Sequence, residues 1–167
     1  MKLTNTSYMK NLIVAIVVAF TLSSCLKGED SFTCNYNECA FVAPAAEITA
    51  IQNHLSANSI TAVQHCSGVF YTIENGGSGA APTACSNVAV TYRGTLTDGS
   101  VFDQTTTPVA FNLGSLIPGW KNVLPKIKSG GKMTLYIPPS LGYGSTPRTG
   151  IPANSILIFT IDLIAVQ

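Results

Sequence analysis

Charged residues are scarce in this 167-residue chain: only 10% of its residues are charged, and the formal net charge is +1. A surface that recognises nucleic acid needs a basic patch or stripe, which this balance does not supply. With 46% hydrophobic residues, the chain also lacks the composition of a disordered protein. The composition therefore predicts one folded domain with additional segments, and no nucleic-acid partner.

Histidine and the common catalytic motifs are also in short supply. The only two histidines, His54 and His65, precede the strand-rich part of the sequence. No G-x-S-x-G, G-x-G-x-x-G or P-loop motif occurs, and only three acidic residues follow Ser86. Acid–base, metal and cofactor chemistry therefore have few side chains to use, and we expect neither a bound metal nor a cofactor.

No apolar run reaches the roughly 20 residues that a membrane-spanning helix needs. Residues 12–22 are apolar over about 11 positions and follow Lys2 and Lys10, as in a secretory signal peptide. The next four residues, LSSC, end at Cys25 and resemble the lipobox of bacterial lipoproteins, in which the cysteine is acylated. We therefore predict a signal peptide over residues 1–24 and lipidation of Cys25; the alternative is an ordinary cleavage site beside a chance cysteine.

A lipid on Cys25 would hold the chain in the bacterial outer membrane without a spanning helix. Residues 25–40 are then expected to form a tether. The acidic pair Glu29-Asp30 resembles signals that send some lipoproteins to the cell surface, although a solvated linker explains it equally well. The periplasmic and surface faces both stay open.

Four cysteines remain once Cys25 is set aside. An even number in an exported chain predicts two disulfides, and the sequence leaves three pairings open. No C-x-x-C pair occurs, which argues against redox catalysis. A zinc site that uses His65 beside a cysteine is the less favoured alternative. The predicted disulfide cysteines are Cys34, Cys39, Cys66 and Cys85.

Secondary structure changes character along the chain. Residues 43–59 are predicted to form a helix, because Ile48, Ile51 and Leu55 fall on one face. A shorter helix is expected over residues 118–124, ended by Pro125. Strands are predicted at 69–74, 87–96, 100–103, 109–113, 132–138 and 156–166.

The order of these elements predicts the fold class. No strand is followed by the long crossover helix that a parallel pair requires. We therefore expect an α+β fold with an antiparallel sheet of five or six strands over one short helix. The apolar face of the sheet should pack on Val123, Leu124 and Ile127, with Trp120 at the start of the helix.

Aromatic and aliphatic side chains concentrate beside turns in this part of the chain. Apolar residues in Gly/Pro-rich loops, such as Tyr143 and Ile151, more often line a pocket than a core. The alternative is that the aromatic residues are simply core, and for Phe111 the two interpretations are evenly balanced. The set comprises Tyr92, Phe102, Phe111, Leu116, Ile117, Trp120, Tyr143, Ile151 and Phe159, with Asp103 following Phe102.

Four stretches, in this order and spacing, carry a family resemblance: VAVTYRGTLTDGSVFD, FNLGSLIPGW, SGGKMTLYIPPSLGYG and GIPANSILIFTIDLI. Residues 66–167 resemble FKBP-type peptidyl-prolyl cis–trans isomerases, with a helical extension over 41–65 in front. The resemblance implies an antiparallel half-barrel sheet wrapped around one short helix. It also implies rotation of X–Pro bonds in exported proteins, with proline-containing segments as substrates and macrolides as inhibitors. A non-catalytic chaperone or protein-binding lipoprotein of the same fold is the alternative.

The resemblance also implies a role for each pocket residue. Trp120 would be the floor under the substrate proline ring, and Asp103 would hydrogen-bond within the pocket wall. The backbone N–H of Ile117 and the hydroxyl of Tyr143 would contact substrate carbonyls. The implied catalytic positions are Tyr92, Asp103, Ile117 and Tyr143. The implied substrate-binding positions are Phe102, Leu116, Trp120, Ile151, Phe159 and Phe111.

Overall fold

A computed structural model of the chain describes residues 33–167. The predicted signal peptide, the lipidation site at Cys25 and the first part of the tether lie outside the described residues. The helices are α1, Ala45–Ala57, and α2, Pro118–Val123. The strands are β1, Val63–Gln64; β2, Phe70–Asn75; β3, Asn87–Thr95; β4, Val101–Asn112; β5, Gly131–Ile137; and β6, Leu157–Val166.

All six strands belong to one sheet in the order β1-β2-β5-β6-β3-β4, and every neighbouring pair is antiparallel. The predicted α+β class, with an antiparallel sheet and one short internal helix, is therefore confirmed. Strand β1 was not predicted: it is only two residues long and lies inside the segment that the sequence marked as a helical extension. A strand this short has no alternating pattern that sequence reasoning could detect.

Helix α2 packs on one face of the sheet and forms the centre of the core. It begins at Pro118, where a missing N–H breaks no helical hydrogen bond. It ends at Val123, and Pro125 follows in a short 3-10 turn over Leu124–Lys126. Val123, Leu124 and Ile127 are buried in the same cluster as the inward side chains of β3, β5 and β6, as predicted.

Helix α1 covers a separate apolar patch of the same sheet. Ile51 and Leu55 pack with Phe70 of β2 and Tyr136 of β5 in a second buried cluster. Tyr136 follows the core residue Leu135, so alternation along β5 turns it to the opposite face from α2. The helix is two residues shorter at each end than predicted, because residues before Ala45 and after Ala57 leave the helical conformation.

Strand β4 corrects one prediction. The sequence suggested two short strands separated by a Thr-rich connection, whereas Val101–Asn112 is continuous. The pairing with β3 jumps from Val90–Val109 to Tyr92–Thr105, so the polar residues form a bulge within the strand. An edge strand tolerates this bulge and its Pro108, because its outer side has no ladder partner among residues 33–167.

Two disulfides link Cys34 to Cys85 and Cys39 to Cys66, with Cα separations of 5.8 Å and 5.6 Å. Of the three pairings that the sequence left open, the fold brings these two pairs together. Both bonds attach the segment before α1 to the body of the sheet. The segment is held further by the Tyr36 hydroxyl, which donates to Asn122 Oδ1 of α2 at 2.6 Å.

Candidate active site

A cavity of about 510 Å³ is lined by residues of α2 and the turn before it, of β3, β4 and β6, and of the loop between β5 and β6. Eight of the ten positions singled out from the sequence line it. The other four lining residues were not singled out. The eight are Tyr92, Asp103, Phe111, Leu116, Ile117, Trp120, Tyr143 and Phe159, and the four are Ser115, Gly142, Thr146 and Arg148.

Trp120 lies at the base of the cavity and is only 4% exposed. Its ring is nearly perpendicular to that of Tyr92, at 85° and a centroid distance of 5.6 Å. It is also nearly perpendicular to Phe159, at 81° and 5.1 Å. Edge-to-face pairs of this kind are favourable and fix ring orientation. The tryptophan is therefore held in a fixed orientation as an apolar part of the cavity lining.

Tyr92 and Asp103 form the polar part of the cavity wall. They lie on neighbouring strands, and the Tyr92 hydroxyl donates to Asp103 Oδ2 at 2.6 Å. Burial of the phenol raises the pKa of Tyr92, and its hydrogen bond to the Asp103 carboxylate raises it further. Tyr92 therefore stays a protonated donor at neutral pH, with its proton committed to Asp103.

Two further donors in the cavity have no acceptor within the described part of the chain. Ile117 precedes Pro118, which disfavours helical backbone for it, and its φ and ψ are −57° and 147°. Its carbonyl accepts from the Trp120 N–H at 3.1 Å, but its own N–H donates to no group among residues 33–167. The Tyr143 hydroxyl likewise has no hydrogen-bond partner in that range. Both groups are free to bind a carbonyl oxygen.

Phe102 and Ile151 are the two predicted positions that do not line the cavity. Phe102 packs at 84° and 5.3 Å against the ring of Phe159, which does line it. Ile151 is 6% exposed and belongs to the main core cluster. For these two we therefore propose support of the wall in place of direct substrate contact. The sequence placed both in the pocket through the family resemblance, and Ile151 also through its Gly/Pro-rich loop.

One reason explains why the sequence did not predict the other four lining residues. Ser115, Thr146 and Arg148 are exposed polar residues of turns, and Gly142 has no side chain. Turn residues of this kind carry no periodic signal, and they reach the cavity only because the fold brings two distant loops together. Arg148 places its guanidinium carbon 4.5 Å from the centroid of the Tyr143 ring.

The cysteine–histidine alternative raised by the sequence lies elsewhere. Donor atoms of Glu38, Cys39, His65 and Cys66 all lie within 4.8 Å of one another. Cys39 and Cys66 are joined in a disulfide, however, so neither offers the thiolate that binds zinc. Only a carboxylate and an imidazole remain as ligands, which is fewer than a structural zinc site uses.

A protein-family model described as FKBP-type peptidyl-prolyl cis-trans isomerase matches residues 79–164, which are 86 of the 167 residues. The chain belongs to this family. Its FKBP-type region contains β3, β4, β5, α2, most of β6 and every lining residue of the cavity. Helix α1, strands β1 and β2 and three of the four disulfide cysteines precede the match. The boundary predicted at residue 66 stays a prediction.

Bacterial FKBP-type proteins are among the similar sequences. FkpA of Escherichia coli strain K12 is 45% identical over 103 residues, covering 60% of this chain and 38% of FkpA. Mip of Coxiella burnetii is 38% identical over 104 residues, covering 60% of this chain and 45% of Mip. The chain thus spans less than half the length of these curated relatives.

Solved structures show the same fold. The crystal structure of FkpA from Escherichia coli superposes with a TM-score of 0.66 at 37% identity, covering 74% of this chain and 61% of that one. A peptidyl-prolyl cis-trans isomerase from Pseudomonas syringae pv. tomato gives 0.65 at 34% identity, covering 75% of this chain and 97% of that one. Within residues 33–167, no helix is both long and apolar enough to cross a membrane.

Proposed function

We propose that the chain is a peptidyl-prolyl cis–trans isomerase that acts on proline-containing segments of exported proteins. The observation that carries the proposal is the cavity itself, which has Trp120 in its lining and further aromatic and aliphatic walls. It also has two hydrogen-bond donors with no acceptor among residues 33–167. Membership of the FKBP-type family supports the same activity. The proline ring would rest on Trp120, with the X–Pro amide between Ile117 and Tyr143.

The cavity suits a reaction whose barrier is electronic. Rotation about a peptide bond costs about 18–20 kcal/mol, because the twisted amide loses its C–N resonance. The twisted amide is less dipolar than the planar one, so an apolar cavity stabilises the twisted form relative to the planar form. Tighter binding of the transition state than of the substrate lowers the barrier. Lowering it by about 5–7 kcal/mol would accelerate rotation roughly 10⁴- to 10⁵-fold.

The two free donors would fix the substrate on either side of the rotating bond. The Ile117 N–H and the Tyr143 hydroxyl would each donate to one carbonyl oxygen of the substrate. These two hydrogen bonds would hold the carbonyls on either side of the X–Pro bond while that bond rotates. The substrate would thus stay in the orientation that the transition state requires. The Tyr92–Asp103 hydrogen bond would have a positioning role, because it fixes the two side chains that form the polar wall beside the X–Pro amide.

No proton transfer is required by this reaction, and the cavity offers no base suited to one. Neither histidine lines it: His54 lies on α1 and His65 lies beside the Cys39–Cys66 disulfide. Asp103 is the one carboxylate among the lining residues of the described chain, and it already accepts from Tyr92. The scarcity of acid–base residues noted in the sequence is thus consistent with the proposed reaction.

The test is the rate of cis–trans exchange in Ala-Leu-Pro-Phe peptides, measured by NMR exchange spectroscopy with the disulfide-bonded chain. We expect exchange well above the uncatalysed rate, and inhibition by an FKBP-binding macrolide that competes for the cavity. Folded protein that binds the peptide without accelerating exchange would contradict the proposal and favour the non-catalytic chaperone.

We propose in addition that the mature chain begins at an acylated Cys25 in the outer membrane of a bacterium, on its periplasmic or surface face. The LSSC motif after an apolar run supports this, as do the bacterial relatives and the two disulfides, which are typical of oxidising compartments. Metabolic labelling with an alkyne fatty acid should mark the chain but not its Cys25→Ser variant. Equal labelling of both would overturn the assignment.

A further inference from the structure

Arg148 places a positive charge at the cavity that forms no ion pair within residues 33–167. Among the lining residues that the structure describes, Arg148 is the one cation and Asp103 is the one anion. The Asp103 carboxylate already accepts a hydrogen bond from Tyr92. A charged group beside a largely aromatic and aliphatic lining is a natural source of selectivity among ligands that bind there.

The backbone holds Arg148 in a defined place. Its N–H donates to the Ile151 carbonyl at 2.9 Å, and the Ile151 N–H donates back to the Arg148 carbonyl at 2.9 Å. The two residues between them make a tight turn that Gly150 permits with a φ of +75°. Ile151 is itself buried, so this turn is anchored in the core.

The side chain is positioned as well. The guanidinium carbon lies 4.5 Å from the centroid of the Tyr143 ring, within the range of a cation–π contact. Stacking on a ring leaves the edge of the planar fork, with its N–H groups, available to an acceptor. The Arg148 guanidinium therefore lies against the ring of Tyr143, which lines the cavity.

Arg148 has no acidic partner in the described part of the chain. The ion pairs among residues 33–167 join Glu38 to His65 and Lys126, and Asp162 to Lys132. The guanidinium N–H groups donate to no side-chain or backbone oxygen in that range. The side chain is exposed and oriented, and its N–H groups have no acceptor in this range. Such a guanidinium can bind a substrate carboxylate through two parallel hydrogen bonds.

We propose that Arg148 makes the enzyme select proline-containing segments in which Asp or Glu stands next to the proline. The inference rests on the proposed isomerase function, for which it names a substrate class. An exposed ion pair contributes up to about 1 kcal/mol. We therefore expect kcat/KM to be about two- to fivefold higher for a substrate with the carboxylate than for its neutral isostere.

The experiment uses peptides with blocked termini that carry Glu or Gln immediately before the proline, and a second pair that carries Glu or Gln immediately after it. Exchange spectroscopy gives kcat/KM for each peptide with the disulfide-bonded chain. We expect the Glu/Gln ratio to be about two to five in at least one pair, and to fall toward one in 1 M salt, which screens exposed charges.

Two variants identify the residue responsible. Arg148→Gln should bring the Glu/Gln ratio to about one, whatever its effect on the neutral peptides. Arg93→Gln removes the same charge from an exposed position of β3 that does not line the cavity, and should keep the parent ratio. A preference that survives in Arg148→Gln, or that is lost in Arg93→Gln, would overturn the assignment to Arg148.

The proposed function and this inference fail in different ways. Exchange of the Gln peptides with a Glu/Gln ratio of one in both pairs would overturn the acidic preference and leave the isomerase intact. No acceleration for any peptide would overturn the isomerase, and the inference with it.

Discussion

At the scale of single residues, function depends on which polar groups in the cavity are already engaged. The Tyr92 hydroxyl is committed to Asp103, while the Tyr143 hydroxyl and the Ile117 N–H have no partner within residues 33–167. The two tyrosines are alike in the sequence, since both are aromatic residues near turns. Their different hydrogen bonds predict different consequences when each hydroxyl is removed.

Tyr143→Phe should lower kcat/KM about two- to tenfold with little change in stability. The hydroxyl has no partner in the described residues, so only a hydrogen bond to substrate is lost, at about 0.5–1.5 kcal/mol. Exchange spectroscopy and urea denaturation measure the two effects. Tyr71→Phe, which removes a hydroxyl from β2 outside the cavity, is the matched control and should keep parent kinetics. Parent kinetics in Tyr143→Phe would count against the proposed role.

Tyr92 should contribute to loss of stability at alkaline pH. Its pKa is raised in the folded chain, chiefly by burial and then by the Asp103 carboxylate. Above the ordinary tyrosine pKa of about 10, the unfolded chain loses this proton while the folded chain keeps it. The folded state then binds more protons, so stability falls as the pH rises.

The measurement is the urea midpoint at pH 8 and at pH 10.5. Tyr92→Phe has no proton to lose at that position, so its midpoint should fall less between the two pH values than that of the parent. The pKa values of Tyr36 and Tyr136 are also raised by burial, so part of the fall should remain. An equal fall in parent and variant would show that Tyr92 is not responsible.

At the scale of elements, the position of α2 on the sheet sets the floor of the cavity. Gly119 lies between Pro118 and Trp120, and a Cβ at that position would come within 2.5 Å of the Ile137 side chain of β5. Real Cβ atoms do not approach side-chain carbons so closely. The helix can therefore lie this near the sheet only because residue 119 has no side chain.

Gly119→Ala should destabilise the chain by about 1–3 kcal/mol, because the core must move to admit the methyl group. Trp120 is the only tryptophan, so its fluorescence reports both unfolding and any displacement of the cavity floor. Gly76→Ala is the control, since no atom lies within 4 Å of its Cβ position. Equal urea midpoints for the two variants would argue against close packing of α2.

Edge strand β4 shows where element prediction from sequence ends. Both of its halves were recognised, because Val101, Phe102, Val109 and Phe111 give apolar signals. The Thr-rich residues between them resemble a loop when only local composition is considered. Pairing with β3 on both sides of the bulge makes them part of one strand, and that pairing is a long-range property.

At the scale of the whole molecule, two disulfides fasten the segment before α1 to the rest of the fold. One ends at Cys85 in the FKBP-type region, and the other ends at Cys66, just before β2. They join residues 51 and 27 positions apart in the sequence. Disulfides reduce the conformational entropy of the unfolded chain, and this raises the free energy of unfolding. The segment also contributes the Tyr36–Asn122 hydrogen bond and the Lys126–Glu38 ion pair at 2.7 Å.

Replacing either cysteine pair with serine should lower the free energy of unfolding by about 2–5 kcal/mol. Urea denaturation without reductant measures this, with Cys25→Ser as the control that leaves both pairs intact. Mass spectrometry of a non-reduced digest checks the connectivity. A peptide that joins Cys34 to Cys39 or Cys66 would contradict the pairing.

The sequence by itself determined the fold class, most strand positions and eight of the residues that line the cavity. These follow from local physics: alternation of side chains, turn and proline signals, and a strong family resemblance in short motifs. They need no knowledge of which distant residues meet. Trp120 at the start of a two-turn helix was recognisable for the same reason.

Only the tertiary structure decided how distant parts meet. It selected one disulfide pairing of three, joined the two halves of β4, and left Phe102 and Ile151 out of the cavity lining. It also brought Arg148 over Tyr143 at the cavity mouth. Each of these depends on contacts between residues far apart in the chain, whose free energies are absent from any local pattern of hydrophobicity or charge.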